Sequence, residues 1–230
     1  MRFSSCFGLA LALGLLAGCE GKISVTFFTG PRQLTVSSSS FALPAELDDG
    51  AGRIASYPCG PMGMCPPSDE LTIACEAGTC DPAPVTVSGP VGEVVDVYVL
   101  LIEAGEIGIR EIQSYTIEEV AYEVRLNTLS FDVEPIDVYW GPESATTIDP
   151  GLGVRRVGTV PQVRAGQTPH GTLELDEEGA AALAEYLVST SSRVRFFAST
   201  AVDLEPGQPI PQGDLTVAVN ATLTAVGRVL

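Results

Sequence analysis

The segment at residues 215–226 constrains the fold more than any other part of the chain. Apolar and polar side chains alternate along it with a period of two, and the apolar set is Leu215, Val217, Val219, Ala221, Leu223 and Ala225. Only an extended strand places every second side chain on one face over such a length. The segment therefore predicts a long β-strand with one face in a core and the other in solvent.

The same alternation recurs in three earlier segments. Its apolar positions are Val120, Tyr122, Val124 and Leu126, then Ile136, Val138 and Trp140, then Val194, Phe196, Ala198, Thr200 and Val202. Residues 154–163 and 171–175 predict weaker strands. Many short strands separated by proline and glycine turns predict an all-β fold, an antiparallel β-sandwich with an immunoglobulin-like topology as its leading form and a closed barrel as the alternative. Trp140, at a strand end, is expected to plug the core.

Two other apolar segments add strands to this prediction. Residues 23–29 and 33–43 are rich in β-branched and aromatic side chains, and Gly30-Pro31 between them predicts a turn and thus a strand pair. Residues 94–102 form a near-continuous apolar run. That run predicts a central strand buried on both faces.

Residues 176–187 break the β pattern. Asp176 can accept hydrogen bonds from free amides at a helix start, and Glu177 and Glu178 complement the positive end of the helix dipole. On a helix the apolar residues share one face: Ala180, Leu183, Ala184 and Leu187. The sequence therefore predicts one short helix laid on a sheet or across its end.

The first nineteen residues have the organisation of an export signal. Arg2 and the amino terminus are cationic, Phe7 to Ala17 is an apolar run, and small residues precede Cys19. The run is too short to span a bilayer as a helix, which needs about 20 residues. This segment resembles the signal peptide and lipobox of bacterial lipoproteins. The resemblance implies removal of residues 1–18, lipid on Cys19 and a mature domain at residues 19–230.

That resemblance also implies a location. Two or more acyl chains hold a protein stably on a membrane, so the chain is expected in the bacterial cell envelope, attached to the membrane through its N-terminal lipid. The residue after Cys19 is Glu20 rather than aspartate. In the best-known sorting scheme for such lipoproteins, this favours the outer membrane.

Residues 44–84 are rich in proline and glycine and contain four cysteines: Cys59, Cys65, Cys75 and Cys80. An even number of cysteines in an exported chain predicts two disulfides, and the absence of a CxxC spacing disfavours zinc. The segment is therefore expected to be a loop-rich insertion that crosslinks stabilise. Three pairings are possible. A resemblance to small secreted modules with interleaved disulfides implies Cys59–Cys75 and Cys65–Cys80.

The charge of the chain argues against two kinds of partner. It contains 12 basic and 29 acidic residues, a formal net charge of −17. Nucleic-acid binding requires clustered lysine and arginine to neutralise phosphates, so no nucleic-acid partner is expected. The same acidity disfavours electrostatic docking on anionic headgroups and leaves membrane attachment to the acyl chains.

No motif predicts catalysis. The single histidine, His170, lies in a Pro-His-Gly turn, and the chain has no GxSxG sequence. Asp48-Asp49-Gly50 lacks the spacing of a calcium loop, and no phosphate-binding or dinucleotide-binding fingerprint occurs. We therefore expect no catalytic, metal-binding or cofactor-binding residue, and a solvated acidic surface.

These observations favour a non-catalytic envelope lipoprotein that presents a β-sandwich to a protein or polysaccharide partner. One alternative is a lipoprotein that holds a small apolar ligand between the sheets or under the helix, which requires an internal cavity. A third hypothesis, an envelope hydrolase, requires polar groups with perturbed pKa values clustered in a cleft.

Overall fold

The computed structural model describes residues 21–37, 48–65, 67, 72–104 and 111–229. The predicted signal and Cys19 lie outside these ranges. The strands are β1 (Gly21–Phe28), β2 (Arg32–Ser37), β3 (Tyr57–Pro58), β4 (Ile73–Glu76), β5 (Thr79–Pro82), β6 (Val85–Pro90), β7 (Val95–Asp96), β8 (Glu111–Asn127), β9 (Ile136–Pro142), β10 (Arg155–Val160), β11 (His170–Thr172), β12 (Glu174–Leu175), β13 (Arg193–Val202) and β14 (Asp214–Val229). The helices are α1 (Val97–Glu103) and α2 (Glu177–Ser189). In the described ranges no helix is long and apolar enough to cross a membrane.

Two antiparallel sheets form the predicted sandwich. In one, β14 lies between β8 and the pair β1 and β2, and β11 follows β8; the other has the order β12-β10-β9-β13-β6, with β7 also on β13. Consecutive long strands alternate between the two sheets in two series along the chain. The first series is β2, β6, β8 and β9, and the second is β10, β11, β13 and β14. This is the strand order of a jelly roll. It replaces the immunoglobulin-like order, in which more of the consecutive strands share a sheet.

The core lies between the two sheets and confirms the alternation of the long strands. On β14 the alternate side chains of Leu215, Val217, Leu223 and Ala225 are buried. Val194, Ala198 and Val202 of β13 are buried against them from the other sheet, in the same apolar cluster. The period of two therefore identified the inner faces of both strands.

Leu126 departs from its predicted face. The register between β8 and β14 shifts at Arg125, so β8 has one extra residue there. A bulge of this kind turns the following side chains over. Leu126 is consequently 44% exposed, whereas Asn127 points inward and its side-chain amide donates to two backbone carbonyls at 2.8 Å.

β1 and β2 form one interrupted edge strand, and the predicted pair between them is wrong. β1 pairs with residues 222–229 of β14, and β2 continues in the same direction along residues 214–219. The three residues between β1 and β2 face only two on β14, so the Gly30 turn signal marks a bulge rather than a reversal. Thr29 keeps the ladder intact, since its hydroxyl accepts a hydrogen bond from the Ala221 amide at 3.0 Å.

The predicted central strand at residues 94–102 is also wrong, because the chain forms β7 and then α1. The Asp96 carboxylate accepts hydrogen bonds from the amides of Tyr98 and Val99 at 3.1 and 3.3 Å and thereby caps the helix. Val97 and Leu101, four residues apart, are buried on one helical face. The described part of the sandwich therefore has two short α-helices instead of one.

α2 begins and packs as predicted. Asp176 accepts a hydrogen bond from the Gly179 amide at 2.9 Å, and the helix lies against β8 and β10. Leu183 and Leu187 are buried beneath it. Trp140 plugs the core here, and its indole Nε1 donates to the Gly179 carbonyl at 2.9 Å.

The sandwich has two distinct ends. At the N-terminal end β1 begins, β14 finishes and β8 begins, because Gly21 pairs with Val229 and Arg228 pairs with Glu111. At the opposite end, here called the insertion end, β2 finishes, β14 begins and β6 begins. β14 has 16 residues. At about 3.3 Å per residue, it separates the two ends by about 50 Å.

Candidate interaction surface

The insertion comprises the described residues between β2 and β6, and its first part is fixed to the sandwich. The Ile54 amide donates to the Gln208 carbonyl at 2.8 Å, and the Gly207 amide donates to the Ile54 carbonyl at 2.7 Å. The Ile54 side chain is buried in the sandwich core. Two residues after β5 the chain enters β6. The insertion is therefore attached to the sandwich at both of its ends.

A small sheet and two disulfides organise the rest of the insertion. β5 lies between β3 and β4, and the turn from β4 to β5 has positive φ at Ala77 and Gly78. The predicted disulfides are present. They join Cys59 to Cys75 and Cys65 to Cys80, which is the interleaved pairing. Covalent bonds thus tie the loop at residues 60–64 to β4 and β5.

That loop carries two exposed methionines. Met62 is 92% exposed and Met64 is 57% exposed. The Gly60 amide donates to the Met64 carbonyl at 2.8 Å and closes the loop on itself. Met62 has φ of 64°, a left-handed conformation that costs a non-glycine residue about 1–2 kcal/mol. The disulfides at both ends of the loop hold this strained residue outward.

The cysteine sulfurs lie close together without forming a metal site. Those of Cys59, Cys65 and Cys80 are within 4.8 Å of one another. Each of these sulfurs is in a disulfide, whereas zinc binds free thiolates. The proximity therefore follows from the crosslinks.

The structure disperses the other residues that the sequence singles out. His170 is exposed on β11 and pairs with Glu123 of β8. Asp48 accepts a hydrogen bond from the Gly50 amide at 2.8 Å, and Asp49 accepts one from the Ala51 amide at 2.7 Å. The Asp48-Asp49 pair consequently supports the turn of its own loop. Cys19, the predicted lipidation site, lies outside the described residues.

A polar cluster surrounds Arg156 near the start of α2. Arg156 donates to Asp176 at 3.0 Å and lies 3.6 Å from Asp137. The Gly179 amide and then Arg156 lower the pKa of Asp176, whereas burial and then Asp137 raise the pKa of Tyr139. These contacts cap α2 and hold it against β10. The cluster therefore has a structural explanation that requires no catalytic role.

Two small apolar cavities lie inside the core. The second reaches under α2, and the two measure about 20 and 10 Å³. A single water molecule needs about 10–15 Å³ by the same measure. These two cavities therefore offer no room for the small apolar ligand of the alternative hypothesis. A larger cleft of about 400 Å³ lies between β2 and β6 at the edge of the sandwich.

Sequence reasoning identified the cysteines of this surface and missed its methionines. Periodicity reports on strands and helices, and Met62 and Met64 lie in an irregular loop. The signal that could have found them is their position: Pro61-Met62-Gly63-Met64 lies between two cysteines. A short loop closed by crosslinks presents its apolar side chains to solvent, because it has no core of its own.

No protein-family model matches the chain, and no curated protein matches it. Solved structures show weak similarity. A Desmodium yellow mottle tymovirus structure has 7% identity and a TM-score of 0.28, over 100% of this chain and 95% of its own. A mud crab tombus-like virus structure has 12% identity and a TM-score of 0.33, over 99% and 91%. The VP2 protein of infectious bursal disease virus has 11% identity and a TM-score of 0.30, over 96% and 41%. Similarity at this level carries no argument about function.

Proposed function

We propose that the chain is a lipid-anchored lipoprotein of the bacterial envelope that acts without catalysis and presents its insertion to a partner. The observation that carries this proposal is the separation of the two ends. The expected lipid on Cys19 attaches the N-terminal end, while the insertion lies about 50 Å away along the strands. The sandwich then works as a rigid spacer between a membrane and a binding surface.

Met62 and Met64 support a protein partner in preference to a polysaccharide. Methionine is flexible and polarizable, and it is common on surfaces that bind other proteins. The left-handed conformation of Met62 gives a second argument. Asparagine or glycine would adopt this backbone conformation at a lower energetic cost. The side chain of methionine therefore explains this position better than its backbone conformation does.

Photocrosslinking on intact cells tests this proposal. A photoreactive amino acid replaces Met62 in one variant and Phe28, a 62% exposed residue in the sandwich wall, in the control. We expect a discrete protein adduct from position 62 only. M62N should lower recovery of that partner by about tenfold and leave the fold intact. Equal adducts from both positions, or none from position 62, would contradict the proposed binding surface.

The anchor is tested separately by mass spectrometry of the protein from its native host. The expected N-terminal peptide begins at Cys19 and carries acyl chains. An unprocessed N-terminus, or a free thiol at Cys19, would contradict the anchor and leave the binding surface to the crosslinking experiment.

A further inference from the structure

Exposed apolar side chains gather at the N-terminal end. On α1, Tyr98 and Val99 are each 45% exposed and Ile102 is 46% exposed, while the opposite face of the helix is buried. On α2, Val188 is 42% exposed. We call Tyr98, Val99, Ile102 and Val188 the end patch. A surface helix that exposes apolar residues on its outer face requires an explanation, because solvent-facing helical positions are usually polar.

Contacts between the segment that follows α2 and the start of α1 place the two helices at the same end. The segment after α2 reaches the start of α1, where the Ser192 hydroxyl donates to the Asp96 carboxylate at 2.9 Å and the Val97 amide donates to the Ser192 carbonyl at 2.9 Å. Val188 and Tyr115 line one shallow surface cleft between α2 and β8. The end patch therefore spans both helices that close the sandwich.

The strand register fixes the distance of this region from the start of the domain. Tyr115 pairs with Ala225, which pairs with Val25. Val25 is four residues from Gly21, or about 13 Å along the strand. The cleft between α2 and β8 consequently lies about 13 Å along the strands from the point at which the chain enters the sandwich.

Only two peptide steps separate Cys19 from Gly21. Whatever their conformation, two residues span at most about 7 Å. A lipid on Cys19 therefore leaves no long linker between the bilayer and β1. With that lipid in place, the N-terminal end stands at the membrane surface, and the end patch lies about 13 Å from it along the strands.

We propose that the end patch inserts into the interfacial region of the bilayer that holds the Cys19 lipid. This inference rests on the proposed lipidation. Glu103 lies on α1 and Glu185 on α2, so a zwitterionic surface suits this end better than an anionic one. Burial of the outer face of α1 among lipid headgroups would orient the sandwich upright and hold the insertion away from the membrane.

Brominated lipids provide a direct test. The full lipidated protein is placed in phosphatidylcholine vesicles whose acyl chains carry bromine, which quenches tryptophan fluorescence at short range. I102W adds a tryptophan to the end patch. L126W is the matched control, because Leu126 is 44% exposed at the insertion end. The native Trp140 is buried and its signal is subtracted with the unsubstituted protein.

We expect about a twofold loss of the added fluorescence in I102W and no loss in L126W, since an interfacial helix buries its apolar face at bromine depth. V99W should behave like I102W and guards against a local defect in one variant. Equal fluorescence of I102W in brominated and ordinary vesicles, with the acyl chains on Cys19 confirmed by mass, would overturn the inference while the anchor stands. Absence of lipid from Cys19 would instead contradict the proposed function.

Discussion

The two ends of the sandwich are stabilised by different means. At the N-terminal end, α1 and α2 pack apolar side chains into the core, and Trp140 bonds to the Gly179 carbonyl. At the insertion end, the small sheet β3–β5 has mostly exposed or half-buried residues, and two disulfides hold its shape. A segment too small to build a core thus keeps a fixed surface through crosslinks. The two ends should therefore respond to different perturbations.

The largest expected effect comes from G179A at the N-terminal end. A Cβ at residue 179 would lie within covalent distance of the Arg156 carbonyl oxygen, so α2 must move off β10. We expect a loss of about 3 kcal/mol or more in the free energy of unfolding. The matched control is G89A on β6, where a Cβ meets open space. Denaturant unfolding followed by Trp140 fluorescence measures both, and equal stability of the two variants would refute this contact.

Removal of a disulfide should destabilise the insertion end alone. C59A combined with C75A opens a crosslink that spans 16 residues, which contributes about 3 kcal/mol in the chain-entropy account. We expect protease cleavage within residues 57–65 to rise by about a hundredfold, as that free energy implies. The Trp140 unfolding transition should hardly shift. An equal loss of stability at both ends would mean that the insertion and the sandwich unfold together. That result would contradict the different stabilisation of the two ends.

A smaller loss of stability, which depends on pH, is expected at the N-terminal end. Burial, and then the nearby Asp96, raise the pKa of Tyr115 to about 12. The unfolded chain releases this proton near pH 10, so the stabilising contribution is complete below pH 10 and is lost as the pH rises toward about 12. We expect the stability of Y115F to decline less over this interval. Denaturant titration at each pH measures the free energy of unfolding of both proteins. If that free energy falls equally with pH in the two proteins, Tyr115 does not cause the loss.

The sequence predicted the regular parts of the fold well, because burial imposes a period on them. The alternation in β13 and β14 identified their inner faces, and the Asp176 cap located α2. It failed at residues 94–102, since an apolar run without a polar face has no period that separates strand from helix. The bulges at Thr29 and Arg125 were missed for another reason. They depend on the count of residues in a partner strand far away in the chain.

The candidate surface divides in the same way. Cysteine spacing predicted the crosslinks of the insertion, whereas the exposure of Met62 and Met64 depends on how those crosslinks close an irregular loop. The sequence did not predict the end patch, because it predicted a strand where α1 forms. Read as a strand, Val99 and Ile102 belong to a buried run; as a helix capped by Asp96, they face outward.

We propose that the membrane and the insertion lie at opposite ends of an upright sandwich. Energy transfer from a donor fluorophore to acceptors in the headgroup layer measures this arrangement, with the donor introduced as an unnatural amino acid at residue 62 or at residue 102 of the lipidated protein. We predict a height of about 50 Å for residue 62, set by the length of β14, and near-complete transfer from residue 102. Equal heights for the two positions, or a smaller height for residue 62 than for residue 102, would contradict this arrangement.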